Sequence, residues 1–586
     1  MLSDAGALGD GDADAGSLPV PTSLQALIAS RLDQLAPSGK RVAQQASVIG
    51  TVFWPGAVAH LGANGALAPG LSELERRDLV RANRTSTVAG EDEYVFKHIL
   101  IRDVAYGRVP KGERARLHAR FATWTQGLPG GEDELVEIVA YHLEQACLFA
   151  RAVARPPEPP PIADAVDALI RAAEKSERRE GHREAERFYS RALDVVEEPE
   201  RELELRLKHS RSLTSLGELR RASEQLVRLA DETLAAGRLD LRCAALIALA
   251  NIDSKQGRAS EGREHIVEAQ SIATRIGDPV LEIRARYESA DLRAWFEGED
   301  RETIEDLRSG LAIAEELDDL ALRIEGHMRL GFLLFNLGKL GESEEHLARC
   351  ARLARDMGSH RDEARVTFML AVAKHYRGEP AEARRLSLQA LDWLERTADN
   401  YFQVQNLRAL ALYALAADDL EEAEERLKAA VPLALESGGW LVLEIYRLLV
   451  ETLVRQERVA EARELAEFAA RNVPEEDVYA RAALLLAEAS VAVADGDRDA
   501  ALSRYPQALL LLEEQRLLID LAEGRIAFGR ALSRFGRDEE AKTQFHRAHE
   551  ILAPMGARAL VAEIERELTG FASPATAAGQ RPEATG

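Results

Sequence analysis

The sequence predicts an all-α protein: a right-handed α-solenoid of helix pairs recurring about every 40 residues, preceded by a small winged-helix domain. Composition points first to helices, since 46% of the chain is hydrophobic but only 5% aromatic, with abundant Ala, Leu, Arg and Glu. The second observation is a register. The turn at Gly536 is followed by a small residue five places on (Ala541), a bulky one at nine (Phe545) and a small one at twelve (Ala548). The third is its recurrence: turn positions 257, 298, 338, 378, 418, 457, 496 and 536 lie 39 to 41 residues apart.

Close packing of paired helices explains the register. A residue at the turn that tolerates a left-handed backbone ends helix A and lets helix B fold back. The slots at plus five and plus twelve are seven apart, two turns along one helical face, so small residues there let the helices approach. Small residues also recur seven places before the turn, at Ala250, Gly331, Ala371, Ala411, Ala489 and Gly529. Asp418 and Glu457 keep the spacing without the glycine, and weaker units begin at Gly217 and Glu180. These residues resemble the tetratricopeptide repeat, in a longer-helix form. The resemblance covers residues 163–568, about ten helix pairs, and implies a concave inner surface lined by helix A.

At 586 residues the chain exceeds one ordinary core. Its net charge of −24 argues against a general nucleic-acid or acidic-membrane binder. Three cysteines, Cys147, Cys243 and Cys350, make neither a disulfide framework nor a metal box. With no basic, apolar leader and no apolar run near 18 residues, a cytoplasmic location is expected and no membrane association.

In chain order, residues 1–17 form an acidic Gly/Ala/Asp tail that reads as disordered. Residues 18–127 read as the winged-helix domain. Amphipathic helices start at Ser23 and Ser38, a short helix holds Val58 and Leu61, and a further helix spans 71–81. A hairpin over 80–97 turns at Gly90-Glu91-Asp92. Residues 128–162 carry a connecting helix and the Pro-rich linker Arg155–Pro161. The array follows, and 569–586 is a second disordered tail.

The stretches LPVPTSLQALIASRLDQL, ASVIGTVF, LERRDLV and YVFKHILIRDVAYGRVPKGERARLHARFA resemble the segment after the nucleotide-binding core of bacterial STAND-type signalling ATPases. Those multidomain regulators are often joined to nucleotide-cyclase or transcription-factor domains and end in tetratricopeptide-like arrays. The resemblance implies a signal-sensing, C-terminal regulatory part, with an ATPase or cyclase domain as a possible partner. No GxxxxGK[ST] phosphate loop occurs, so neither ATP binding nor ATP hydrolysis by this chain is expected. The chain reads as the C-terminal half of such a regulator.

No catalytic, cofactor or metal residues are assigned. His346 and Cys350 lie four apart on one helix, but Cys350 fills a plus-twelve packing slot. Carboxylate pairs such as Glu421-Glu422 and Glu424-Glu425 sit at helix starts, where they complement the macrodipole. The candidate groove for a protein partner or small effector is marked by aromatics near helix A ends: Trp295, Phe296, Phe335, Tyr376 and Tyr413. Residues 22–127 hold 14 Lys and Arg against 9 Asp and Glu, with Arg76, Arg77, Arg81 and Arg84 clustered on the helix expected over 71–81. In a transcription factor that helix would enter the DNA major groove. The acidic tip Glu91-Asp92-Glu93 favours an interdomain docking face over DNA.

Overall fold

The computed structural model describes residues 22–129, 133–179, 181–296, 301–437, 440–471 and 477–571. Most of both expected tails, 1–17 and 569–586, and the turn at Gly298 lie outside them. Two compact units are formed: one runs to Leu205, and the other comprises Arg206 onward together with Glu180–Arg183.

The first unit begins with helices α1 (Thr22–Asp33) and α2 (Pro37–Ile49), strand β1 (Val52–Phe53) and helix α3 (Pro55–Val58). Helix α4 (Leu67–Arg76) leads into β2 (Val80–Ala82) and β3 (Tyr94–Phe96), then α5 (Ile99–Gly107), α6 (Lys111–Gln126) and α7 (Val136–Arg151). The strands form one antiparallel sheet in the order β1-β3-β2, so Val52–Phe53 joins the expected hairpin as a third strand. Phe53 and Phe96 are buried against α2 and α6 residues such as Val42 and Phe121. The helix expected over 71–81 stops early. Arg77 caps it and Asp78 takes φ 58, which throws the chain out of the helix before buried Val80 starts the strand.

Ten helix pairs and a closing helix follow: α8 (Ile162–Arg178) with α9 (His182–Val195), α10 (Pro199–Ser215) with α11 (Leu219–Ala235), α12 (Leu239–Lys255) with α13 (Ala259–Ile276), and α14 (Pro279–Phe296) with α15 (Arg301–Glu316). Next come α16 (Leu320–Asn336) with α17 (Leu340–Met357), α18 (His360–Tyr376) with α19 (Pro380–Arg396), and α20 (Asn400–Ala416) with α21 (Leu420–Ser437). The last are α22 (Trp440–Arg455) with α23 (Val459–Ala470), α24 (Val478–Asp495) with α25 (Arg498–Glu514), α26 (Leu518–Arg534) with α27 (Asp538–Met555), and α28 (Arg558–Phe571). The protein is an all-α solenoid.

The packing register is visible slot by slot. Every described turn position from 257 to 536 is left-handed, including Asp418 at φ 62 and Glu457 at φ 63. Each ends its helix with an amide-to-carbonyl bond five residues back, such as Arg537 N to Leu532 O at 2.9 Å. The slots at plus five, nine and twelve are buried in these repeats, from Ile266 and Ala269 through Ala541, Phe545 and Ala548. The small residue before the turn receives the bulky one: a Cβ on Gly331 would stand 2.6 Å from Leu347, and one on Gly529 2.8 Å from Phe545. The turns from helix B to the next helix A are also left-handed, at Gly237, Gly277, Asp318, Gly358, Ala398, Arg516 and Gly556. Glu422 departs from its expected role: rather than serving the helix dipole alone, it makes a fork with Arg384 of α19, both contacts at 2.7 Å.

In the second unit the array is wound so tightly that distant repeats touch. Arg361 at the start of α18 donates to Ser215 O at 2.7 Å. The Asp477 carboxylate packs on the turn at Gly257, where any Cβ would stand 2.6 Å from its Oδ2. Met555 likewise fills the space beside Gly338. Glycine is required at these two turns by close approach as well as by φ.

A candidate ligand cavity on the inner helices

Three consecutive A helices, α16, α18 and α20, wall a cavity of about 80 Å³. Its other side comes from further along the array: Tyr479 of α24, Leu517, and Ile519, Asp520 and Glu523 around the start of α26. The aromatic wall comprises Phe332, Phe335, Phe368, Tyr376, Tyr413 and Tyr479. Phe335 and Tyr376 meet with ring centroids 5.6 Å apart, and His375 stacks on Tyr413 at 4.6 Å. Of the groove residues expected from sequence, the structure brings Phe335, Tyr376 and Tyr413 together here. The side chains of Trp295 and Phe296 lie outside the described residues.

Polar groups complete the lining. The Tyr376 hydroxyl donates to Glu523 Oε1 at 2.8 Å, and that of Tyr479 to Asp520 Oδ1 at 3.0 Å. Arg408 donates to Glu444 Oε1 at 3.2 Å, while its Nε is buried without a partner. Behind it Arg447 grips Glu444 through two contacts at 2.8 Å. Gln405 lines the cavity at 6% exposure, and its carboxamide makes no hydrogen bond within the described residues. His375 Nδ1 is also buried and unpartnered.

Burial decides the ionisation of these groups. It pushes the Glu523 carboxyl up to about 7, with the neighbouring Asp520 adding repulsion. Burial and then Glu444 raise Asp520. Glu444 goes the other way: burial opposes its charge, but Arg447 and Arg408 outweigh it and hold the carboxyl low. Burial lowers His375 to about 4, so its ring is neutral.

A second polar cluster is built on the same inner faces. Arg361 and Arg365 both donate to Asp399 Oδ2, at 2.8 and 2.6 Å, and hold its carboxyl far below the usual range against the effect of burial. Lys255 lies 5.2 Å from the Tyr401 ring, and burial followed by Arg365 lowers it to about 8. Arg329 joins Glu288, Asp291 and Glu325.

Sequence reasoning overlooked the charged members of this surface. A signal exists: thirteen places before the turn stand Glu325, Arg365, Gln405, Glu444 and Glu523. These polar residues share one helix A position, and each belongs to one of the inner polar arrays just described.

The arginine face in the first unit is less coherent than the sequence implied. Arg76 ends α4 and Arg77 caps it, whereas Arg81 lies in β2 and Arg84 beyond it. They do not share a helix. Arg77 is tied to Gln34 O at 2.9 Å and to Glu73. The acidic tip is partly turned inward, with Glu91 accepting from Gly56 N at 2.9 Å and Glu93 from Thr87 and Asn83. His346 faces His327 at 2.9 Å, and the Cys350 thiol donates to Ile324 O at 3.5 Å.

A family model described as "Tetratricopeptide repeat" matches residues 322–396, the stretch from α16 through α19. Among solved structures, the chain is similar to a signal transduction ATPase with numerous domains carrying a tetratricopeptide repeat sensor, from Pyrococcus horikoshii. That match is 15% identical and covers 84% of this chain and 67% of the other, with a TM-score of 0.44. It is also similar to a Rap protein complexed with competence and sporulation factor, at 13% identity over 61% of this chain and 99% of the other, with a TM-score of 0.47. Yeast Tom70 matches at 14% identity over 70% and 97%, with a TM-score of 0.26. No curated protein matches. Tetratricopeptide repeats are present at residues 322–396, within an all-α solenoid; among the described residues no helix is long and apolar enough to cross a membrane.

Proposed function

We propose that this chain is a non-catalytic sensor and scaffold that holds a segment of a protein partner against the inner helices of its repeat array. One observation supports this most: an aromatic cavity with unpartnered polar groups opens where helices α16, α18 and α20 face α24 and α26. Recognition surfaces use such rigid aromatic anchors with a few polar groups to orient what they bind. The sequence resemblance to STAND-type regulators makes the array the signal-receiving part, with the winged-helix-like first unit docking a neighbouring ATPase or cyclase domain. The dispersed arginines at 76, 77, 81 and 84 favour docking over reading a DNA groove.

Photo-crosslinking tests this reading. A benzophenone amino acid replacing Val372, which lines the cavity, is compared with one replacing Arg81 in the first unit, each in the full chain in cells. The expected result is a discrete partner crosslinked from position 372 and lost when Leu412→Trp fills the cavity. Crosslinks confined to position 81, or to DNA, would replace this reading with a transcriptional one.

A further inference from the structure

We infer that the cavity is a subsite for an organic cation: it accepts the ammonium or guanidinium group of a peptide's Lys or Arg side chain between Asp520 and Glu523. This rests on the reading of the inner helices as a partner-binding surface, and names the chemistry of what binds.

The charges lead there first. Arg408 of α20 and Arg447 of α22 are set among three carboxylates, those of Glu444, Asp520 and Glu523. Glu444 takes the ion pairs of both arginines, although Arg408 Nε keeps no partner, and Asp520 and Glu523 meet at the cavity with no cation of their own within salt-bridge distance among the described residues. Each carboxylate instead accepts one phenol hydrogen bond, which leaves acceptor capacity directed at the cavity. A buried carboxylate pair short of one positive charge is a site that a cation completes.

The walls agree with this. Rings of Phe332, Phe335, Tyr376, Tyr413 and Tyr479 line the space, and aromatic rings attract a desolvated cation. The cavity, about 80 Å³, has room for the head of one side chain. Independently of the carboxylates, Gln405 is almost wholly buried at the cavity, its carboxamide without a hydrogen bond among the described residues, and a carboxamide there can pair with a peptide backbone amide. A bare ammonium would leave it unused; a peptide would not.

Entry of the cation is coupled to a proton. Around the cavity Glu523 is accompanied by Tyr376 and His375 from α18, Arg408 from α20, Tyr479 from α24 and Asp520 on its own helix, while Glu444 and Arg447 of α22 act on its charge. Of these, His375 is held neutral and the arginines stay charged, so the carboxyl proton of Glu523 is the one displaced. Binding is therefore tighter at pH 8 than at pH 6.

The test uses the immobilised full chain and an equimolar pool of random hexapeptides, with captured peptides sequenced by mass spectrometry. A parallel pool is N-acetylated, so that side-chain cations are distinguished from the terminal ammonium. The comparison protein is Asp520→Asn with Glu523→Gln, which keeps both phenol acceptors; circular dichroism checks that it folds. Lys- and Arg-containing peptides should be enriched at least tenfold by the wild type from both pools, more at pH 8 than at pH 6, and not by the variant. Enrichment only from the unacetylated pool moves the cation to the peptide N-terminus and overturns the side-chain assignment. Capture of peptides without basic enrichment, or equal enrichment by the variant, refutes the cation subsite while leaving the groove as a peptide surface. If the wild type captures nothing from either pool, the cation subsite is refuted on its own terms; the groove reading then stands or falls on the crosslinks from position 372.

Discussion

Tyr287 offers a sharp test of the packing inside one repeat. Its side chain is fully buried on α14, between Gly310 of α15 and Gly326 of α16. The two glycines touch different parts of the ring. A Cβ on Gly326 would fall on the Tyr287 hydroxyl, whereas one on Gly310 would stand 2.6 Å from the ring carbon Cε1. Gly→Ala inside a helix gains roughly 1 kcal/mol from backbone propensity, while overfilling a packed site costs about 1–3 kcal/mol. Gly326→Ala should therefore destabilise by about 0–2 kcal/mol, the difference between these terms. Tyr287→Phe removes only a long hydroxyl contact to Leu322 O at 3.4 Å, costing about 0.5–1 kcal/mol. In that background the worst contact at position 326 is removed, leaving ring Cζ at 3.0 Å and Leu311 Cδ1 at 3.1 Å, so Gly326→Ala becomes markedly less destabilising, a coupling of about 1–3 kcal/mol. Gly310→Ala meets the ring in either background, so its coupling should stay within about 0.5 kcal/mol. Urea unfolding followed by far-UV circular dichroism measures all six proteins, compared at a common m-value. Equal coupling at the two glycines, or none at 326, would show that Tyr287 does not sit as described.

Glu523→Gln should flatten the pH dependence of stability. A carboxyl raised from its ordinary 4.5 to about 7 binds its proton more tightly in the folded state. Wild-type stability therefore falls as pH rises from about 4.5 to 7, and the variant should be more stable at pH 8 by on the order of 1–3 kcal/mol. Asp477, raised by burial to about 6, leaves a residual slope of the same sign. Asp399→Ala should be far more damaging, by roughly 3–5 kcal/mol in thermal melts, because Arg361 and Arg365 lose their buried partner. A loss under ~1 kcal/mol would mean that water already solvates the pair. Ala390→Phe or Ala430→Phe, in fully buried plus-twelve slots, should cost about 1–3 kcal/mol each and lower the urea midpoint.

The sequence determined the helix pairing. Turn, small, bulky and small residues at fixed offsets act within some 20 residues, and Gly536, Ala541, Phe545 and Ala548 need only their own pair to be interpretable. Even Asp418 and Glu457 were legible as turns, because the spacing around them is local. Aromatics near helix A ends could be picked out one by one, and Phe335, Tyr376 and Tyr413 converge on one cavity. Their convergence could not be read from the chain. It depends on winding, the small rotation from pair to pair that accumulates until Tyr376 meets Glu523, 147 residues away. The same winding sets Asp477 on Gly257 and gathers Arg408, Glu444, Asp520 and Glu523 into one buried charge cluster. Each of these residues alone looks like an ordinary polar position on an amphipathic helix. In the first unit the error was of another kind: reading LSELERRDLVR as one helix over 71–81 carried it past Arg76, where a left-handed Asp78 and the burial of Val80 in the sheet end it. Local offsets thus decide which helices pair, while the charge a cavity contains is decided by which distant repeats the winding brings face to face.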